Sequence, residues 1–386
     1  MKSIPGRIGK MKILVTGANG FVGKNLIASL KTMEKIYVLP YDLDTPPESL
    51  EVYCHDCDFV YHLAGVNRPE DISQYMEGNF GFTSELLRLL RKYNNKCPIM
   101  LSSSIQADLN NPYGQSKLAG EKLLLAHGQS IGSDIYIYRF PNLFGKWCRP
   151  NYNSVVATFC HNVANSYPII VNDSNTELNL VYIDDVVNEL LSLLQHKGHQ
   201  NSKGFYYVPE VTTITLQDLA ELISSFKKSR TSLEVPDTTD GGFCKKLYST
   251  YLSYLPENQF SYPLQMKSDD RGSFTEIIRT PERGQFSVNI SKPGIEKGNH
   301  WHHTKNEKFL VVSGKALIQL RRIDSDKIID YHVSGDKLEV VDIPIGYTHN
   351  IINEGDSDLI TFMWCNECFN PTKLDTYYLK VNEESL

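Results

Sequence analysis

The chain has 386 residues, 41% of them hydrophobic and 22% charged, an ordinary globular composition that excludes disordered and fibrous classes. Its length exceeds the size at which a single core stops growing, so two domains are expected. Lys and Arg number 39 against 45 Asp and Glu, a net charge of −6. That balance excludes a dedicated nucleic-acid binder or a protein of anionic membrane surfaces, but not a local phosphate site.

Residues 1–10 are basic with no apolar run after them, so they read as an extension outside the fold and not as a secretory signal. Residues 12–16 (KILVT) form a continuous apolar strand, followed by glycines and a helical pattern through Leu30. Ile36–Tyr41 and Asp58–Leu63 are the next strands, 79–94 is a helix with Leu86, Leu87, Leu89 and Leu90 on one face, and Pro98–Ser102 is a buried strand. A helix over 113–127 and a strand Asp134–Arg139 complete an alternation that indicates a doubly wound parallel sheet covered on both faces. From about Lys227 to Lys267 the pattern loosens through Gly241-Gly242 and the stretch LYSTYLSYL. After Asp269 only short alternating segments follow, QFSVNIS, KFLVVSG, KALIQLRR, KIIDYHVSG, LEVVDIP and LITFMWC, the pattern of an antiparallel barrel or sandwich. The expected domains are 11–265 and 266–386. No run approaches the ~20 apolar residues of a membrane span, and a cytoplasmic protein is expected.

Gly17, Gly20 and Gly23, with Phe21 and Val22 between the last two, stand between a strand and a helix. Glycines there allow a tight turn and close approach to a pyrophosphate, which meets the free N–H groups of the helix N-terminus. Asp42 follows the second strand, where a carboxylate accepts from a ribose 2′-OH and favours NADH; Lys24 and Arg68 keep NADPH open. Ser102, Ser103 and Ser104 end a buried strand, and Tyr113 and Lys117 share one face at the start of the next helix. An ammonium one turn away lowers a tyrosine pKa toward a working range, and a serine hydroxyl at the strand end can polarise a ketone. Cys54/Cys57 and Cys365/Cys368 have CxxC spacing, readable together as a zinc site or, more plainly, as reduced cysteines near strand edges.

TGANGFVG, HLAG (62–65), SSS (102–104), YGQSK (113–117) and YRFPNLFG (138–145) resemble the extended short-chain dehydrogenase/reductase family, whose members act on nucleotide-activated sugars. The resemblance implies that Tyr113 is the acid/base, that Lys117 supports it and binds the nicotinamide ribose, and that Ser104 polarises the ketone, with Ser103 as the alternate. It implies cofactor contacts along Leu63, Ala64 and Gly65, and a sugar-nucleotide contact at Asn142.

In the second half, His300 and His302 are two apart and share a strand face, and Glu307 and His349 add a carboxylate and a third imidazole. That donor set suits Zn²⁺ or a related divalent metal, and the two motifs match the cupin pattern. DRGSFTE (270–276) and KGNH (297–300) also resemble the nucleotide-linked 4-keto-6-deoxysugar epimerases. There the histidine matching His300 abstracts a proton beside the ketone, so His300 has two competing roles, ligand or base. Arg271 and Lys297 are substrate contacts on the same resemblance; Lys297 stands where those epimerases carry arginine. Both halves together resemble the bifunctional bacterial enzymes of capsule and O-antigen synthesis that make the N-acetyl-L-fucosamine precursor. This implies C3 epimerisation of a UDP-2-acetamido-2,6-dideoxy-4-ketohexose by the cupin, then NAD(P)H-dependent C4 reduction to UDP-2-acetamido-2,6-dideoxy-L-talose, in a homodimer. The alternatives are a 4-ketosugar reductase or 4-epimerase with a structural cupin, and a sugar-nucleotide-binding scaffold without turnover.

Overall fold

A computed structural model describes residues 9–239, 242–372 and 374–383. Residues 1–8 of the expected extension, and Gly241, lie outside the described residues. The first of two compact units runs to Ser224 and takes back Lys246–Pro256. Its sheet holds β1 (Met11–Thr16), β2 (Ile36–Tyr41), β3 (Phe59–His62), β4 (Ile99–Ser104) and β5 (Ile135–Phe140), all parallel in the order β2-β1-β3-β4-β5. Between them run α1 (Phe21–Leu30), α2 (Pro47–Asp56), the single turn α3 (Ser73–Tyr75), α4 (Phe82–Lys92) and α5 (Pro112–Ile131). Alternation along the strands builds a core on each face. Ile13 and Val15 pack with Leu26 and Leu30 of α1, whereas Leu14 packs with Leu50 and Cys54 of α2 and Leu86, Leu87 and Leu90 of α4. The strand order reverses between β1 and β3, and the crevice beyond the carboxyl ends of strands at such a point is where ligands bind in open α/β sheets. The glycine-rich turn after β1 and the Leu63-Ala64-Gly65 loop after β3 both lie there.

The rest of this unit contains β6 (Asn142–Phe144), α6 (Val155–Ala164), β7 (Glu177–Tyr182), α7 (Ile183–Ser192), β8 (Thr212–Thr215), the start of α8 (Leu216–Ser232) and most of α9 (Phe243–Leu252). The loosened region is therefore partly helical. LYSTYLSYL runs into α9 because Leu247 and Tyr251, four apart, bury one face that its serines and tyrosines conceal in sequence. Among the described residues no helix is long and apolar enough to cross a membrane.

The second unit comprises Ser225–Lys245 and the chain from Glu257 onward. The division is interleaved, where sequence suggests one cut near 265. A reason is local: Val235 N–H donates to the Arg279 carbonyl at 3.0 Å and Arg279 N–H to Leu233 at 2.8 Å, so a segment ahead of the barrel is tied to its second strand. The strands are β9 (Met266–Asp269), β10 (Gly272–Thr280), β11 (Gly284–Ser291), β12 (Glu296–Trp301), β13 (Glu307–Ser313), β14 (Lys315–Arg322), β15 (Ile328–Ser334), β16 (Val340–Ile343), β17 (Tyr347–Asn353), β18 (Leu359–Cys365) and β19 (Tyr377–Tyr378). They form two antiparallel sheets, β16-β13-β18-β11-β10-β9 and β15-β14-β17-β12-β19, a cupin-like β domain. Phe309, Val311, Ile318, Leu320, Ile343 and Ile351 belong to its apolar core. The buried face of β11 is polar instead, with Gln285, Ser287, Asn289 and Ser291.

Candidate functional site

Gly17 takes φ +68°, and a Cβ there would lie 2.7 Å from the backbone nitrogen of Ala64; a Cβ on Gly23 would lie 2.2 Å from the Gly17 carbonyl oxygen. Side chains at these positions would fill the turn. Gly20 caps α1 without a side chain, and no acidic residue occupies the first turn, so the N–H groups around Phe21, Val22 and Gly23 face the crevice with no anionic competitor. The Leu63 and Ala64 amides donate to the carbonyl and hydroxyl of Thr16 at 3.2 and 3.3 Å, laying the second loop beside the first. This cradle fits a dinucleotide. Asp42 stands beside it, but both its oxygens are engaged: one accepts from Asn19 N–H at 2.6 Å and the other from Leu43 N–H at 2.8 Å. Asp42 thus anchors the glycine-rich turn itself.

Asn111 caps α5 by accepting from Gly114 N–H at 2.7 Å, and Pro112 opens its first turn, which fixes Tyr113 at the helix start. Ser104 lies beside the Tyr113 side chain and acts to lower its pKa, while its hydroxyl accepts from Gln106 N–H at 3.2 Å. The register of the serine run follows from strand alternation, since Ser102 and Ser104 share a face and Ser103 is turned away. Ser103 is therefore corrected as a ketone or substrate contact: it is buried and donates at 2.5 Å to Glu121, which also pairs with Arg139 at 2.7 Å. Lys117 donates to the Ser102 carbonyl at 3.1 Å, and its ammonium lies 5.8 Å from the centre of the Tyr113 ring. The expected lowering of the tyrosine pKa is not met. Burial raises Tyr113 above its ordinary value, against a lowering from Ser104, while desolvation pulls Lys117 itself down to about 8.

Two further residues have no plain signal in the sequence. A π-turn at Met76–Gly81 places the buried Asn79 so that its amide donates to the Val66 carbonyl at 3.0 Å and to Ser116 at 2.9 Å. A Cβ on Gly65 would lie 2.7 Å from Asn79 Oδ1 and 2.9 Å from Lys117 Nζ, so this glycine leaves the ammonium reachable from the crevice. His62, at the end of β3, bridges Thr16 at 2.8 Å and Thr83 at 2.9 Å, and burial pushes it down to about 3, so it is a neutral brace. Asn142 begins β6 and is exposed.

In the barrel, β12, the loop after it, β13 and β17 bring His300, His302, Glu307 and His349 together, with one donor atom from each within 4.8 Å of the others. Glu307 Oε2 lies 3.6 Å from His302 Nε2 and 3.1 Å from His349 Nε2, and all three atoms are buried without a hydrogen-bond partner. Buried polar atoms that face one another unpartnered fit a divalent cation between them. Burial acts to raise the Glu307 carboxyl, but the two imidazoles hold it well below the usual range. Burial, with His349 beside it, pushes His300 down to about 4, leaving a neutral imidazole.

A cavity of about 430 Å³ opens onto His300, Glu307 and His349, and Lys267, Arg271, Lys297 and Lys305 also line it. Lys297 is held by the Asn289 side chain and the Ile290 carbonyl, both at 2.8 Å; Arg271 pairs with Asp269 at 2.6 Å. No cysteine belongs to the His/Glu cluster, although Cys365 stands opposite Glu307 in the β13–β18 pairing. Cys54 and Cys57 are buried in the first unit's core, Cys365 and Cys368 belong to the barrel, and all eight are free thiols.

A family model described as NAD dependent epimerase/dehydratase matches residues 13–208, and one described as Polysaccharide biosynthesis C-terminal domain matches 267–377. The UDP-2-acetamido-2,6-beta-L-arabino-hexul-4-ose reductase of Pseudomonas aeruginosa is 43% identical over 373 residues, covering 97% of this chain and 100% of that one. The crystal structure of the capsular polysaccharide assembling protein CapF from Staphylococcus aureus matches 96% of this chain and 100% of its own at 54% identity, with a TM-score of 0.91. A Bacillus cereus UDP-glucuronic acid 4-epimerase is alike in fold over 65% of this chain and 100% of its own, at 20% identity and a TM-score of 0.53.

Proposed function

The chain belongs to the NAD dependent epimerase/dehydratase family, and from that premise we propose that it is a bifunctional sugar-nucleotide enzyme of capsule or O-antigen synthesis. The barrel epimerises C3 of a UDP-2-acetamido-2,6-dideoxy-4-ketohexose, and the parallel-sheet unit then reduces C4 to give UDP-2-acetamido-2,6-dideoxy-L-talose. The observation that carries this reading is the second site. Reduction alone has no need of a 430 Å³ cavity lined by four basic side chains and an acid–imidazole cluster, whereas a nucleotide diphosphate on an enolisable ketosugar would use both. The full-length likeness to a reductase of a UDP-2-acetamido-hexul-4-ose supports the substrate class.

The Gly17–Gly23 turn and the Leu63-Ala64-Gly65 loop would hold NADPH or NADH, which would supply the hydride. Tyr113 delivers the proton to the C4 oxygen, Ser104 donates a hydrogen bond to the same oxygen, and Lys117 holds the nicotinamide ribose; Asn142 contacts the sugar nucleotide. In the barrel His302, Glu307 and His349 would hold Zn²⁺, which would supply Lewis-acid stabilisation of the enolate. His300 either completes that set or removes the C3 proton. Arg271 and Lys297 bind the nucleotide end.

NMR of the products from a UDP-4-keto-6-deoxy-N-acetylhexosamine in deuterated water tests the reading. Deuterium should enter at C3 without cofactor, and reduced cofactor should give the inverted, reduced sugar. Reduction without C3 exchange would leave a reductase with a structural barrel, and absence of both a non-catalytic binder.

Cofactor choice gives a separate expectation. Because Asp42 anchors the Asn19 amide, Asp42→Ala should raise KM for NADH and NADPH together, by about 10-fold for one lost charge-assisted hydrogen bond. Steady-state kinetics with both cofactors checks this, and a change confined to one of them would put the carboxylate on the ribose.

A further inference from the structure

We propose that Asp375 is a positioning residue of the barrel metal site, and that the tail carrying it is a strap built into that site. The inference rests on the metal reading above. His302 and Glu307, two of the ligands, are joined by His303–Asn306, which is not a strand; Asn366 holds its far end, accepting from Asn306 N–H at 3.0 Å and donating to the Asn306 carbonyl at 3.2 Å, while the amides of residues 303–305 are left to other partners. Asp375 supplies what that loop lacks. One carboxylate oxygen accepts from His303 N–H at 2.9 Å; the other accepts from Thr304 N–H at 2.8 Å, Lys305 N–H at 3.0 Å and the Thr304 hydroxyl at 3.0 Å. Successive backbone amides turned to one anion fix the loop's course. Burial acts to raise this carboxyl, and the amides hold it well below the usual range.

The same residue acts on the ligand directly. His302 Nδ1 hydrogen-bonds the Asp375 backbone carbonyl, which can only accept, so Nδ1 carries the proton. Nε2, the atom facing Glu307, is left with its lone pair outward. A ligating imidazole is oriented in this way by what its other nitrogen meets.

The tail is itself anchored on both sides of its course. Tyr377 and Tyr378 pair with Trp301 and His300, the Trp301 and Tyr377 rings stack at 5.0 Å, and Leu379 N–H donates to Asn299 at 3.0 Å. The buried Arg321 guanidinium then donates to the Val381 carbonyl at 2.7 Å and the Lys380 carbonyl at 3.0 Å. Asp375 therefore transmits a fixed frame to two ligands and the loop between them without touching the ion.

Cobalt(II) in the full chain gives the test, since its visible absorption reports ligand geometry. Asp375→Ala keeps the backbone carbonyl that meets His302 but frees the amides of the loop between the two ligands, so it should lower Co²⁺ affinity, measured by chelator competition, about 10-fold, the low end for disturbing the shell around a metal ligand, and should shift the absorption bands. Asp375→Asn keeps one acceptor oxygen and should fall between that variant and wild type, which also serves if the alanine variant folds poorly. Wild-type affinity and an unshifted spectrum in the folded Asp375 variants, whatever their melting temperature, would make the residue a loop cap only and overturn the proposal. A wild-type chain that takes up no Co²⁺ would instead sink the metal reading, and this inference with it.

Discussion

Tyr113→Phe should lower reduction at C4 by at least about 100-fold, the low end for general acid catalysis, while C3 exchange continues. The substitution deletes one hydroxyl, the one beside Ser104, and keeps the ring beside Tyr75 at 5.6 Å. Binding of cofactor and sugar nucleotide should hardly change, so the loss should fall on kcat. The direction of the pKa supports an acid role. Burial holds Tyr113 above its ordinary value, so it is protonated near neutrality and has a proton to give as charge develops on the ketone oxygen. Single-turnover oxidation of NADPH or NADH, with deuterium exchange at C3 followed in parallel, separates the two chemistries. Reduction at a near-normal rate would remove Tyr113 from the mechanism.

Much of the first site was legible because its parts carry constraints in sequence. The glycines of the turn after β1 have little room for a side chain, and Tyr113 and Lys117 are one helical turn apart on a helix with a proper cap. The serine run was ambiguous for a physical reason: three identical residues carry no phase. Only the pleat of β4, which sends Ser103 to Glu121 and Ser104 to Tyr113, assigns it. Asn79 was hidden because a π-turn has no period in the sequence pattern, and its meeting with Gly65 and Lys117 joins residues far apart in the chain.

The barrel shows a different limit. Read hydrophobic-inward, QFSVNIS would bury Phe286, Val288 and Ile290. Instead Gln285, Ser287, Asn289 and Ser291 are the buried set and Phe286 is 36% exposed, because that interior is in part a cavity and not only a core. A strand whose buried face is polar departs from the usual pattern at a place where function uses the space. That His300, His302, Glu307 and His349 form one cluster was legible from two histidine motifs. Asp375 was not, since a lone acid in a tail is common and its partners lie about seventy residues earlier.

Removing a ligand should empty the metal site. His302→Ala and Glu307→Ala should each lose most bound metal on elemental analysis, lower the melting temperature of the barrel and abolish C3 exchange. His302→Ala removes one of the two imidazoles that face Glu307, and Glu307→Ala removes the cluster's carboxylate and leaves three imidazoles together; in either case the ion's contribution to the folded state is lost. Reduction of a ketosugar already carrying the inverted C3 should survive, because its chemistry belongs to Tyr113 and Ser104. His300→Ala then decides between the two roles of that ring. It lies in the cavity wall, and an imidazole bound through its reactive nitrogen cannot also take a proton there. If His300 completes the ligand set, its removal costs metal and exchange together. If it is the base, metal stays at wild-type content, held by His302, Glu307 and His349 in the three-ligand form that leaves a position open for substrate, while exchange alone is lost. Full metal in both His302→Ala and Glu307→Ala would show that this cluster is not the site, and metal loss with normal exchange would leave an ion that only supports the fold.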